Sequence, residues 1–486
     1  MKNFNKALIW LTASEIIFNV AGYVIHASLG RILGPEDYGR FGIIVTLTTM
    51  LIVLIGNGVP TAMSKYLAEI FESHPDRVRS IKKTAIKLQV FIILPTTLIF
   101  YCLSSFIAEG ILKDPSLTPL FQLSAFIIPA FAAASFYFYF YTGLHYFRLQ
   151  AVLKTLRALA RIIFIIGLGY LYGVAGAVAG YIAAPLAVFL IASLYDLVKV
   201  SPSLPAKETS YHFPTKQLLN YAWPFTLFLL CYELILTVDL YFVKALLRDD
   251  LLTGLYNAAI TAGRIPYFLF YALTIILLPA IAKSKTNTTD EETKSLITQS
   301  LRLMVIILIP MLTLLYAYGA EVLQFFYGHR YANALAAYQI FLVGSGFLTV
   351  FYVFAFALAG AGRLAIPLIA TLFGVIMTSL LNFSLIPTYG IAGASTAVTL
   401  TSFVLMGYIL IALVKEFAIK LPKRDFFISL LSSIIIFDMA FFLPKNVFLF
   451  IPLSAGFFAL HLIFLWYAKV LTPKDLGPFS KMFKKA

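Results

Sequence analysis

The sequence predicts an all-α polytopic membrane protein of about fourteen transmembrane helices. They are expected to form two six-helix lobes, related by a pseudo-two-fold axis along the membrane normal, plus two C-terminal helices. Three observations predict this. Hydrophobic residues make up 61% of the 486 and charged residues 12%, with a mean hydropathy of +0.90. A water-soluble multidomain chain does not have that composition. Apolar runs of about 20 residues recur along the whole length, each long enough for a hydrocarbon core of about 30 Å. Short motifs also repeat about 215 positions apart. The spans are expected to be helices because an open strand in lipid leaves backbone groups unsatisfied.

The apolar segments are 7–29, 41–63, 88–111, 118–142, 158–173, 175–198, 221–243, 254–281, 300–319, 334–359, 364–386, 391–414, 426–443 and 446–469. They divide the chain into an N-terminal six-helix lobe (1–200), a cytoplasmic linker (201–220), a C-terminal six-helix lobe (221–414) and a last part (415–486) with two additional helices and a basic tail. No cleavable signal peptide is expected, because the first segment is too long and lacks a small-residue cleavage site. Cys102 and Cys231 lie inside apolar segments and read as unpaired packing residues.

The first segment carries a polar stripe. At about 100° per residue, Thr12, Glu15, Asn19, Gly22, His26 and Gly30 fall within about 80° of one another. A carboxylate inside a membrane faces a bundle interior or a wet cavity, because lipid exposure costs at least a few kcal/mol. The stripe leads into Gly30-Arg31-Ile32-Leu33-Gly34-Pro35-Glu36-Asp37-Tyr38-Gly39-Arg40-Phe41-Gly42, a charged turn rich in helix-breaking residues. In the second segment Gly56-Asn57-Gly58-Val59-Pro60 reads as a hinge or a close-packing site.

The repeat has three members. Ile93-Leu94-Pro95 matches Leu308-Ile309-Pro310, and Gly39 matches Gly254, each 215 positions on. Gly173-Val174-Ala175-Gly176-Ala177 matches Gly390-Ile391-Ala392-Gly393-Ala394 at an offset of 217. An even number of spans per copy gives both copies one orientation and places a substrate path between them.

Basic residues set the expected orientation. Of 37 Lys and Arg, 29 fall on the side of the N-terminus, 7 on the other, and Arg264 lies within a segment. That bias puts both termini in the cytoplasm of a multi-pass plasma-membrane protein. It also explains the net charge of +15 without nucleic acid as a partner.

Catalytic signatures are missing from the sequence: it has no GxxxxGK[ST] loop, no GxSxG elbow and no HExxH pair. The chain is therefore not expected to be an enzyme or to hold a metal. No cofactor is expected either, with Na⁺ or H⁺ left as a coupling ion. Arg264 is the most informative residue. It stands about ten residues into the eighth segment, about 15 Å deep, with Asn257 and Thr261 on the same face and Pro266 loosening the backbone after it. It suits either an ion pair with Glu233 or Asp239 of the seventh segment, or a cationic contact for an anionic substrate.

The stretches Gly30–Gly39 and Ser64-Lys65-Tyr66-Leu67-Ala68-Glu69 resemble the polysaccharide biosynthesis exporters. These include the Wzx-type oligosaccharide flippases, within the multidrug/oligosaccharidyl-lipid/polysaccharide exporter superfamily. The resemblance spans essentially the whole chain. It implies two six-helix lobes around a cationic cavity, alternating access, and flipping of a polyprenyl-diphosphate-linked oligosaccharide for cell-surface glycan assembly. By the same resemblance, arginines of the first, second and eighth helices line the cavity. Arg264 answers to the last of these, while Arg31 and Arg40 sit at the ends of the first two segments. The expected substrate contacts are Arg264, Arg31, Arg40, Asn19, His26, Asn257 and Thr261. The coupling-ion candidates are Glu15, Glu233 and Asp239. Expected partners are the lipid-linked oligosaccharide, membrane lipid, and glycosyltransferases or a polymerase of the same pathway. The alternative is a cation-coupled multidrug exporter of the same superfamily.

Overall fold

The structure is a computed structural model and describes residues 2–56, 58–205, 215–270, 273, 274, 277, 281, 290–443 and 445–471. The side chain of Thr12 and the residue Asn57 lie outside the described residues. Every regular element among the described residues is helical. Ten stretches among them are long and apolar enough to cross a membrane. Three are of double length, Ala13–Ile70, Phe147–Ser203 and Ala365–Phe417, with 58, 57 and 53 residues. Each is broken at a glycine of positive φ, Gly34 at 75°, Gly173 at 61° and Gly390 at 57°, a region that side chains rarely enter without strain. Counted with these breaks, the ten stretches hold thirteen spans. The eighth segment, described as the Asp250–Gly263 helix and on to Phe270, makes the fourteenth.

Two local expectations change. The charged turn at 30–42 narrows to one residue, because helix persists through Leu33 and restarts at Pro35 after Gly34. Proline suits a first helical position, where its fixed φ is helical and its missing N–H is no loss. The fifth segment, expected at 158–173, begins eleven residues earlier. The Phe147–Arg161 helix runs through a π-helical turn, Ile162–Ile166, into the Gly167–Tyr195 helix, which breaks at Tyr172 and Gly173. Cations in its first turns lower the local hydropathy and hide its true start.

The chain divides into two compact units. The first comprises Met1–Thr237 with Arg248–Gly254, and the second comprises Val238–Leu247 with Leu255–Ala486. The core of the first unit gathers Met63, Leu67, Ile81, Phe140, Tyr141, Leu153 and Val188 from the second to sixth segments, each at most 1% exposed. In the same unit a Cβ on Gly39 would stand 2.6 Å from the Asp250 carbonyl, and one on Gly254 would stand 1.7 Å from the Pro35 carbonyl. The contact is reciprocal at the repeat offset, since Asp250 and Gly254 follow Pro35 and Gly39 by 215 each. Two backbones touch there because neither residue has a side chain.

The second unit packs the Leu335–Gly360 helix against the Ala365–Phe417 helix. Small residues let them approach: a Cβ on Gly344 would lie 2.5 Å from the Thr399 hydroxyl. Ser395 and Thr399 donate to the carbonyls of Ala337 and Ile340 at 2.7 and 2.9 Å. The C-terminal helices Lys423–Phe442 and Phe450–Tyr467 dock on the Asp290–Ala317 helix. His461, fully buried, is the tie: its Nδ1 meets the Ser432 hydroxyl at 2.9 Å and its Nε2 the Ile306 carbonyl at 3.0 Å. Arg302 reinforces the junction with Asp425 at 2.6 Å and the Val470 carbonyl.

Candidate functional site

The first helix sorts its faces as its pattern predicts. Ile16, Ile17, Val20 and Val24 are exposed, between 41 and 55%, as a lipid-facing strip must be. Glu15, Asn19 and His26 are half-buried on the other side. Glu15 is ion-paired with Lys154. His26 meets the Tyr38 hydroxyl at 2.9 Å and lies edge-on to Tyr38 and Phe41. Arg40 holds Asp250 at 2.8 Å and reaches Asp37 at 3.6 Å, whereas Arg31 is exposed. Tyr38 and Arg40 thus fasten the break at Gly34 to its surroundings.

Lys154 belongs to a stripe that composition alone does not reveal. On the Phe147–Arg161 helix, Gln150, Lys154, Arg157 and Arg161 fall within about 60° of one another. Val152, Leu156, Leu159 and Ile163 are exposed on the opposite face, between 38 and 68%. The polar stripe therefore turns into the first unit. The hydropathy reading left Lys154 and Arg157 before the fifth segment, with Arg161 in its first turn. Their spacing of three and four, set against apolar residues half a turn away, is the signal that finds them.

Arg157 is the centre of the stripe. It is 5% exposed, its Nε has no hydrogen-bond partner, and no carboxylate pairs with it among the described residues. Its Cζ stands 4.0 Å from the Phe131 ring centroid, 5.5 Å from Phe138 and 5.6 Å from Phe18. Arg161 stacks over Phe18 at 4.5 Å and Tyr181 at 5.6 Å, and Lys154 approaches Phe18 at 5.5 Å. Three cations thus share one aromatic collar, and the carboxylate beside them, Glu15, is held by Lys154. Arg157 stands about 15 Å from the start of its helix and about 24 Å from the break at Gly173, well inside the span.

The second unit has a different arrangement. Asp239, fully buried, accepts from the Tyr256 hydroxyl at 2.5 Å and from the Leu240 N–H at 2.8 Å. Arg264 acts on both Asp239 and Tyr256 electrostatically. It is itself the turn residue at which the helix is interrupted, after Gly263 and before the helical residues 265–270 that include Pro266, and the Gly263 carbonyl accepts the Ser345 hydroxyl at 2.6 Å. Asn257 is buried and Thr261 half-buried on the same helix. Thr378 and Asn382, one turn apart in the same unit, are fully buried, and their side-chain polar atoms have no partner. Glu233 is half-buried and belongs to the first unit. The sequence-predicted contacts divide between the units: Glu15, Asn19, His26, Arg31, Arg40 and Glu233 belong to the first, and Asp239, Asn257, Thr261 and Arg264 to the second.

Comparison with known proteins agrees with this architecture. Stage V sporulation protein B of Bacillus subtilis is 24% identical over 464 residues, covering 88% of this chain and 87% of the relative. Among solved structures, lipid II flippase MurJ in an inward closed conformation superposes with a TM-score of 0.77 at 17% identity. That match covers 96% of this chain and all of the other. An inward-facing multidrug resistance transporter of the MATE family and MOP superfamily gives 0.67 at 15% identity, over 85% and 98%. The profile of the polysaccharide biosynthesis protein family matches residues 4–285, more than half of the chain, and the chain belongs to that family.

Proposed function

We propose that the protein flips a polyprenyl-diphosphate-linked oligosaccharide across the cytoplasmic membrane by alternating access, for assembly of a cell-surface glycan. The observation that carries this reading is electrical. In the first unit Lys154, Arg157 and Arg161 line one stripe of a spanning helix, and the carboxylate ion-paired with that stripe is Glu15, held by Lys154. An interior with surplus positive charge favours an anionic cargo. A diphosphate-sugar headgroup is such a cargo, and it cannot cross hydrocarbon unaided because its charge is far too costly to bury. Its lipid tail can stay in the bilayer while the headgroup moves through the protein. The family, and the likeness to a structure titled a lipid II flippase, support the same reading.

The proposed arrangement has both termini in the cytoplasm, with glycosyltransferases or a polymerase of the pathway as partners. Coupling to Na⁺ or H⁺ falls to Asp239, with Glu15 and Glu233 behind it. Buried Asn382 gives that proposal polar atoms able to line an ion's path in the second unit. A multidrug exporter coupled to such an ion is the second reading, favoured by the buried carboxylate of Asp239 and by the MATE-like fold. Purified protein in vesicles separates the two. A fluorescent polyprenyl-diphosphate-linked sugar in the inner leaflet should reach the outer leaflet faster than in protein-free vesicles, and a cationic dye should not be moved. Dye transport without lipid flipping overturns the proposal.

A further inference from the structure

We infer that Arg157 and Arg161 form a seat for a phosphoryl anion inside the first unit, and that this is where the diphosphate of the cargo is held. The inference rests on the flippase reading for its cargo, but the site itself is defined by geometry. A guanidinium carries five N–H donors in its own plane. The Arg157 Cζ stands over the Phe131 ring, 4.0 Å from its centroid, and its buried Nε–H donates to no protein acceptor among the described residues. Aromatic faces attract a desolvated cation, but that attraction does not by itself offset the loss of its hydration. What remains is a planar, directional demand for oxygen acceptors.

No protein group meets that demand among the described residues. Arg157 has no carboxylate, and Arg161 next to it is a like charge without one. Glu15 is engaged by Lys154. Gln150, one stripe position below, is buried with an unpartnered Oε1, so the stripe's one neutral member adds no anion. Two guanidinium groups one helical turn apart, each standing over aromatic rings, suit the oxygens of a phosphoryl group. Phe18 touches all three cations from the first helix, and Tyr181 flanks Arg161 from the sixth segment. An anion on this seat is therefore enclosed by aromatic rings rather than by water.

The experiment uses the full chain in lipid nanodiscs with inorganic pyrophosphate as the probe, read by isothermal titration and by thermal midpoint. Wild type should bind pyrophosphate and melt several degrees higher with it. Arg157→Gln and Arg161→Gln should each weaken binding at least tenfold, Arg157→Lys less, and Arg148→Gln not at all. Arg157→Met should melt no lower than wild type without the anion, since it removes an unbalanced buried charge, and should gain nothing from pyrophosphate. A fall in its midpoint instead makes Arg157 a packing residue and overturns the seat. Equal binding by wild type and Arg157→Gln means an adventitious ion only and also overturns it. Preference for glucuronate over pyrophosphate refutes the phosphoryl assignment in favour of an acidic sugar. Flipping by a wild type that binds no pyrophosphate refutes the seat and leaves the flippase reading standing. Pyrophosphate binding through Arg157 with no flipping does the reverse.

Discussion

Arg157 and Arg264 are both guanidinium groups inside spanning helices, and they differ in what faces them. Arg264 acts on a buried carboxylate, Asp239, which also holds the Tyr256 hydroxyl. Removing one member of such a group leaves the other charge uncompensated, at a cost of about 3–5 kcal/mol. Arg264→Ala should therefore lower the thermal midpoint, and Asp239→Asn added to it should restore the midpoint. Tyr256→Phe should cost about 1–3 kcal/mol, since it takes a donor from a buried acceptor. Flipping by the double variant decides the role of Arg264: continued loss makes it a cargo contact, and recovery makes it structural. Sequence reading found Arg264 because one cation stood alone in an apolar run. It missed Arg157 because three cations close together look like a loop. Which acid faces a buried cation is a tertiary fact, so the pairing of Glu15 with Lys154 could not be read from spacing.

At the scale of elements, two of the three breaks in the double-length helices are built from glycine pairs. Gly173 has φ 61° and ψ −143°, and Gly390 has φ 57° and ψ −138°. Three residues on, a Cβ at Gly176 would lie 2.0 Å from the Leu168 carbonyl, and one at Gly393 would lie 2.3 Å from the Leu385 carbonyl. The two copies of the motif thus make one joint twice: a left-handed residue, then a glycine pressed on the helix just left. The repeated five-residue motif was legible in the sequence, and the joint gives it a cause. The length of the break was not legible, because a single residue suffices only when the next helix leans back on the last. Gly176→Ala and Gly393→Ala should each destabilise the protein, by about 1–3 kcal/mol for an overpacked contact. Gly407→Ala, with nothing within 4 Å of its Cβ, should be neutral or gain up to about 1 kcal/mol in its helix. Thermal midpoints of the three variants in one detergent check this. Equal effects at Gly176 and Gly407 remove the joint as an explanation of the motif.

At the scale of the whole molecule, the spans among the described residues are legible because hydropathy is a property of long runs, insensitive to one misplaced boundary. The same robustness holds for orientation. Moving Lys154, Arg157 and Arg161 from a loop into a helix leaves 26 of the 29 basic residues on the side of the N-terminus, so the bias toward a cytoplasmic N-terminus survives. Single-cysteine labelling from outside whole cells tests it. Cys102 is exposed and must first be replaced by Ser, and Cys231, which is buried, by Ala. Glu36 and Lys445 are exposed and belong to the predicted outer side, so cysteines there should react with an impermeant maleimide. Ser73 and Lys420, exposed on the predicted inner side, should react only after the membrane is opened. Ser73 is a better probe of its loop than Arg79, whose guanidinium donates to the carbonyls of Ser201 and Leu204 at 2.8 and 3.3 Å. Labelling of Ser73→Cys in intact cells inverts the topology. The cargo would then have to enter from the opposite leaflet, and an inner-to-outer flippase could not be retained.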